Sequence, residues 1–258
     1  MVKGLNRFRD FFKDFAKNYV IIGGTACDQH LDAVGLHPRS TKDIDAILIV
    51  EALTEDFVQK FWEFIKEGDY KLWQTASGKT QFYRFIKPAN EDFPNQIELF
   101  ARIPDMISLP ENAHLTPIPV GDELSSFSAI LLDDSYYHYA VEHVVVFKEL
   151  NFVDRAALIF LKAKAFLNNS KRRENGEDVR DDAIYKHLND IYRISVTFRS
   201  TDQFDAPEDL KADLMEFISR IQHEALDTKG ISHNLKVEEI SKVEFIEILF
   251  QAFQLRNF

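Results

Sequence analysis

The chain has 258 residues, and its 31 Lys and Arg against 42 Asp and Glu leave a formal net charge of −11. Hydrophobic residues at 45% and charged residues at 28% are the balance of a folded chain with a sizeable core, which excludes intrinsic disorder; a lone cysteine, Cys27, excludes an internal disulfide framework. The acidity argues against a general DNA-coating role, which needs a broad basic face, and apolar runs as short as Ala46–Val50 and Val144–Phe147 exclude membrane spans of about 20 residues. Lys3, Arg7, Arg9, Asp10 and Lys13 are interleaved with the first apolar residues, unlike a secretory leader, so the expected location is the cytoplasm.

Phe8, Phe11, Phe12 and Phe15 recur at helical spacing, and Leu5–Lys17 reads as an amphipathic helix. Tyr19–Ile22 is a short apolar strand stopped by Gly23-Gly24, and Thr25–Ala33 reads as a helix. A turn-rich stretch from Gly35 to Lys42 leads into a strand over Asp43–Val50. Thr54 caps a helix to Lys66 that turns Phe57, Phe61, Phe64 and Ile65 inward. Tyr70–Thr75 and Gln81–Ile86 form a hairpin around Ala76-Ser77-Gly78-Lys79, and further strands are expected over Gln96–Ile103, Leu124–Leu132 and His143–Phe147. Helices then take over: Asp154–Asn168, Asp182–Arg193, Pro207–Leu226 and Ser241–Leu255, the last opened by a Ser241–Glu244 capping box. Asn169–Asp182 reads as a polar loop. The alternation predicts the α/β (α+β) class, a mixed sheet flanked by helices over residues 1–135 and a mainly helical part over 136–258.

Three features carry chemistry. Ile21-Ile22-Gly23-Gly24-Thr25 is a strand ending in two glycines and a hydroxyl at a helix start. Glycines let a phosphate approach the backbone, and the helix offers free N–H groups; the plain alternative is a tight turn that needs glycine for backbone reasons alone. Asp43-Ile44-Asp45 opens an apolar strand, where residues two apart share a face, so the carboxylates project together. Such a pair repels unless protonated or bridged by cations, and hard oxygen donors suit Mg²⁺. Glu98, between Ile97 and Leu99, is a costly solitary charge if buried, but is explained if it shares a metal with Asp43 and Asp45.

Together these residues resemble the polymerase-β-like nucleotidyltransferase superfamily, whose pattern joins a Gly-Gly or Gly-Ser turn to an acidic pair and a third carboxylate. Between Gly24 and Asp43 lie residues 25 to 42, 18 in all, longer than the usual spacing; Arg39-Ser40-Thr41-Lys42 fits a subgroup with that longer loop. Leu158–Ala165 with Lys162, followed by Lys186-His187-Leu188-Asn189-Asp190, resembles the abortive-infection nucleotidyltransferases of the AbiEii type. The match covers roughly residues 15–195.

The resemblance implies a nucleotidyltransferase catalytic domain over residues 1–135. It implies an enzyme that moves NMP from an NTP to a macromolecular acceptor, tRNA or protein, with two Mg²⁺ ions. Asp43 and Asp45 would hold one metal; Glu98, with Asp45, would help place the second and take the acceptor proton. Gly23, Gly24, Thr25 and Arg39 belong to the nucleotide-binding side. Lys162 would neutralise the triphosphate, with Lys186 beside it and Asp190 orienting one of these lysines. The implied setting is a toxin with an antitoxin partner or a housekeeping relative. The competing class is a catalytically silent nucleotide- or partner-binding module with the same fold; transfer to a small polycation is a third option.

Other signals are set aside. Ser77-Gly78-Lys79-Thr80 ends like a P-loop, but Trp73 stands where its first glycine belongs. The eight histidines show no zinc spacing with Cys27, which reads as core filler. Tyr136-Tyr137-His138-Tyr139 is a packed aromatic cluster or a base-stacking platform, and Lys171-Arg172-Arg173 is a solvated run or an RNA grip.

Overall fold

Tyr19–Ile22 is apolar at every position, so it is stable only with both faces covered, and it lies inside the sheet. The computed structural model describes residues 3–38, 41–72, 82–101 and 133–255. Its strands are β1 (Tyr19–Ile22), β2 (Asp43–Leu48), β3 (Lys71–Leu72), β4 (Phe82–Ile86), β5 (Gln96–Ala101), β6 (Val144–Phe147) and β7 (Leu150–Val153). Among the described residues they form one seven-stranded sheet in the order β3-β4-β5-β2-β1-β7-β6. β2 runs parallel to β5 and β1 parallel to β7, while the other neighbours are antiparallel, so the sheet is mixed. Because β6 and β7 belong to it, the sheet continues past residue 135.

The described helices are α1 (Leu5–Phe12), α2 (Gly23–Ala33), α3 (Glu55–Gly68), α4 (Asp134–Glu142), α5 (Arg155–Glu174), α6 (Asp181–Ser195), α7 (Glu208–Ile221), α8 (Thr228–Leu235) and α9 (Lys242–Ala252). This is the mixed α/β class with helices dominating the second half. Among the described residues, no helix is long and apolar enough to cross a membrane.

The two sheet faces have different chemistry, and the register shows why. Ile44, Ile97 and Phe85 lie opposite one another across β2, β5 and β4, and Tyr19 shares their face through its pairing with Leu48. Rings from α1 and α3 cover this side: Phe8 and Phe12 meet Tyr19 and Phe64, and Phe61 meets Phe85 edge-on at 5.4 Å. Such tilted and edge-to-face contacts add to the burial of large apolar area. The period of two then sends Asp43, Asp45 and Glu98 to the opposite face. There α2 lies against β1 and β2, with α5 and α6 packed on α2 and on each other.

Caps read from sequence are present: Thr54 accepts from the Phe57 amide, Asp154 from the Ala157 amide, and Ser241 with Glu244 closes a capping box. Several boundaries differ from expectation. The helix predicted from Thr25 begins at Gly23, because glycine at φ +70° makes the sharp turn out of β1 and Gly24 already belongs to the helix. The expected loop over 169–182 is helical to Glu174, since Asn169 is buried and its side-chain amide donates to the Ala183 carbonyl at 3.0 Å. The tyrosine run forms α4, with Tyr136, Tyr137 and Tyr139 buried, so it is a packed cluster. β7 and α8 had no counterpart among the predicted elements. The expected strand over Leu124–Leu132 and the hairpin turn at Ala76–Lys79 lie outside the described residues.

Candidate active site

One row of the sheet assembles the site. Arg84 of β4 lies opposite Glu98 of β5, Glu98 opposite Asp45 of β2, and Asp45 opposite Ile22, the last residue before Gly23. In the next row Gln96 lies opposite Asp43. The three carboxylates therefore share one face from two adjacent parallel strands. Asp43 and Asp45 are half-buried and Glu98 is 7% exposed.

Gly23 sits directly against this row. A Cβ placed on it would lie 2.1 Å from Asp45 Oδ2, and its φ of +70° is itself unfavourable for any other residue. The glycine is needed here for close approach of a carboxylate, whether or not a phosphate also comes near. No side chain caps the start of α2 and no acid lies in its first turn, so its leading N–H groups and positive dipole end point outward beside Asp45. Thr25 is fully buried, and its hydroxyl donates to the Asp43 backbone carbonyl. That bond ties the glycine turn to the acidic strand, and it gives the hydroxyl an anchoring partner in place of the phosphate expected from the resemblance. The loop before β2 is fastened similarly, the Thr41 amide donating to Asp28 Oδ2 at 3.2 Å. Arg39, in the same loop, lies outside the described residues.

Crowding like charges in a partly dry cleft raises the cost of ionising them. Burial, reinforced by the Asp43 charge, pushes the Asp45 carboxyl up to about 6. Burial and the Asp45 charge push Glu98 up to about 8, and burial raises Asp43. Cations oppose the shifts: Arg84 acts on all three acids, Lys186 on Asp43 and Asp45, Lys162 on Asp45, and Lys42 on Asp43. Lys162 and Lys186, from α5 and α6, are thus both brought near the acids.

The two lysines are not equivalent. Lys162 is 2% exposed and its Nζ donates to Asp190 Oδ2 at 2.7 Å, while Arg193 Nη1 donates to the other Asp190 oxygen at 3.1 Å. This is a closed buried pair, which restrains Lys162 and limits it as a point charge for a ligand. Lys186 is half-buried and makes no hydrogen bond or ion pair among the described residues. Asp190 lies with the lysine and not with the acids.

Arg84 and Gln96 were absent from the sequence-derived site. Arg84 Nη2 lies 2.7 Å from Glu98 Oε1, and the Gln96 amide donates to the same oxygen at 2.6 Å. Period-two reading of Gln81–Ile86 separates Arg84 from Phe85, but no local signal says that this strand lies beside β5.

The donor chemistry of the acids fits a hard divalent cation: carboxylate oxygens on one face, half open, beside a glycine that leaves them room. With Glu98 turned to Arg84 and Gln96, however, no group of three or more His, Cys, Asp or Glu is gathered as a metal site among the described residues.

No protein-family model matches the chain, and no curated protein matches it. Among solved structures it is similar to the crystal structure of the Megavirus polyadenylate synthase, at 9% sequence identity and a TM-score of 0.42. That similarity covers 86% of this chain and 36% of the synthase, so this chain spans little more than a third of that protein's length.

Proposed function

We propose that the protein is a nucleotidyltransferase that moves NMP from an NTP to a macromolecular acceptor, tRNA or protein, with Mg²⁺. The observation that carries this reading is the register of β2 and β5, which sets Glu98 beside Asp45 on the face that Gly23 and the start of α2 adjoin. Acids crowded until their pKa values rise have a use when positive charge is to be delivered to them, and a triphosphate with divalent cations delivers it.

In this reading Asp43 and Asp45 hold the divalent cation through oxygen donors. Bound magnesium would supply neutralisation of the triphosphate charge and activation of the acceptor hydroxyl. The leading N–H groups of α2 receive phosphate oxygens, and Gly23 keeps that approach open. Lys186 meets the triphosphate as a compact charge. Lys162, held by Asp190, positions the site by acting on Asp45. Glu98, ionised once bound cations offset the burial and the Asp45 charge that raise it, accepts the acceptor hydroxyl's proton. The motif resemblance at Lys162, Lys186 and Asp190 extends the proposal to a toxin with an antitoxin partner, acting in the cytoplasm.

Incubation with each labelled NTP, divalent cation, total tRNA and cell extract tests the reading. Label should enter an RNA or protein band, and Asp45→Asn should abolish the transfer while the fold survives. The contact of Glu98 with Arg84 favours a second reading, a catalytically silent nucleotide- or partner-binding module. Thermal stabilisation by NTP and divalent cation with no transfer of label would establish that one instead.

A further inference from the structure

We propose that Arg84 is the resident counter-ion of the carboxylate cluster, holding Glu98 until a divalent cation displaces its guanidinium. The inference rests on the reading of Asp43, Asp45 and Glu98 as a divalent-cation site. Its own support is the geometry of β4 against β5. Register places Arg84 opposite Glu98, and Nη2 meets Oε1 at 2.7 Å. Gln96 Nε2 donates to the same oxygen at 2.6 Å, so both donors converge on Oε1. A dication on either oxygen of this carboxylate would stand within a few ångströms of the guanidinium, which repels it and weakens its binding. Arginine does not relieve this by losing a proton, so only movement of the side chain does.

The structure leaves that movement open. The Arg84 side chain is 18% exposed against 9% for Glu98, so the guanidinium has a path to solvent. Its Nε is buried with no hydrogen-bond partner among the described residues, so the side chain forfeits little besides the Glu98 contact when it leaves. The other cations differ. Lys162 is closed on Asp190, and Lys186 faces the acids without touching one. Arg84 is the cation that contacts a member of the cluster among the described residues. It therefore keeps the acids compatible with a folded, metal-free protein and sets a threshold for cation binding.

The test is calorimetric titration of Mn²⁺ into the chelator-stripped full chain, with thermal stability measured on the same samples. Removing the competing charge in Arg84→Met should tighten Mn²⁺ binding by about tenfold or more and lower the melting temperature of the metal-free protein. Lys186→Met removes a charge facing the same acids and should produce a smaller gain. Affinity unchanged or weakened in Arg84→Met, or a gain no larger than that of Lys186→Met, overturns the proposal. If Arg84→Met does not fold, Arg84→Gln removes the charge but keeps a hydrogen-bonding side chain, and an affinity equal to that of the parent overturns the proposal in the same way. Asp45→Asn separates the two levels. Mn²⁺ binding that survives Asp45→Asn, or is absent from every variant, overturns the site reading and the Arg84 proposal with it. Binding lost in Asp45→Asn but not tightened in Arg84→Met overturns the Arg84 proposal alone.

Discussion

Replacing Gly23 by alanine adds a single methyl group at the point where the sheet, the helix and the acids meet. At an ordinary helix position this change is stabilising by about 1 kcal/mol. Here two effects reverse the sign. The backbone at φ +70° costs an alanine about 1–2 kcal/mol. The new Cβ would also stand 2.1 Å from Asp45 Oδ2, 3.0 Å from its Cγ and 3.2 Å from its Cβ, where ordinary contact begins at 3.4 Å. Either the carboxylate or the turn must move by about an ångström, a displacement that costs about 10²-fold in rate when it falls on a reacting centre. Gly35 supplies the control, since its φ is +76° but a Cβ there meets nothing within 4 Å. Gly35→Ala should therefore lose only the conformational part, about 1–2 kcal/mol, and keep full activity. Gly23→Ala should lose more stability, about 2–3 kcal/mol in all, together with most NTP-dependent pyrophosphate release. Urea denaturation of the two variants beside the parent protein, with a pyrophosphate assay, reads both quantities. Equal stability losses in the two variants, or a Gly23→Ala protein with parental activity, would refute the reasoning.

Further outcomes follow from the charges. Glu98 titrates at about 8 in the fold against an ordinary 4.5, and Asp45 at about 6 against 3.8. For carboxyls raised in this way the fold keeps protons that the unfolded chain releases. Their contribution is thus most favourable below about pH 4 and is lost as pH rises to about 8, each carboxyl losing about 1.4 kcal/mol per pH unit between its unfolded and folded titrations. Chelator-treated protein should lose melting temperature across that window more steeply than Glu98→Gln does; parallel curves would contradict the assignment. Asp190→Asn leaves Lys162 charged, buried and without its carboxylate, and should cost about 3–5 kcal/mol in denaturation, part of which Lys162→Met should restore. A fully stable Asp190→Asn protein would show that the pair holds nothing in place. Lys242 donates to the carbonyls of Ile221, Gln222 and Glu224 at 3.3, 2.8 and 3.0 Å, closing the end of α7. Lys242→Met should therefore lower stability by about 1–3 kcal/mol, and no change in the denaturation midpoint would refute that role.

The parts of the site that the residues announce are those with a local cause. Asp43 and Asp45 share a face because a strand repeats every two residues, and Gly23-Gly24 ends an apolar strand because nothing else turns there so sharply. Thr54, Asp154 and Ser241 act within three residues of themselves, so their caps were readable too. Long-range pairing was not. That β5 lies parallel to β2, one strand from Arg84, depends on the sheet order, which no window of sequence contains. Asp190 as the partner of Lys162 or Lys186 came only from the motif resemblance; it lies 28 residues from Lys162, and the burial of the pair follows from how α5 and α6 cross. Residues such as Asn169 and Ser170 misled the reading because they are polar by type yet buried in α5. The tyrosines of α4 were legible as a cluster but not as a helix, since aromatic residues favour strands by propensity and were overridden by tertiary packing.

The central claim is that acids of β2 and β5 converge on shared divalent cations beside the start of α2. Anomalous scattering from crystals grown with Mn²⁺ and a non-hydrolysable NTP addresses it most directly. The account predicts Mn²⁺ within about 2.2 Å of oxygens from both Asp43 and Asp45, with Glu98 turned from Arg84 towards the metal and the triphosphate against the first turn of α2. Manganese bound elsewhere, with Glu98 still paired to Arg84 and the nucleotide away from Gly23, would contradict it.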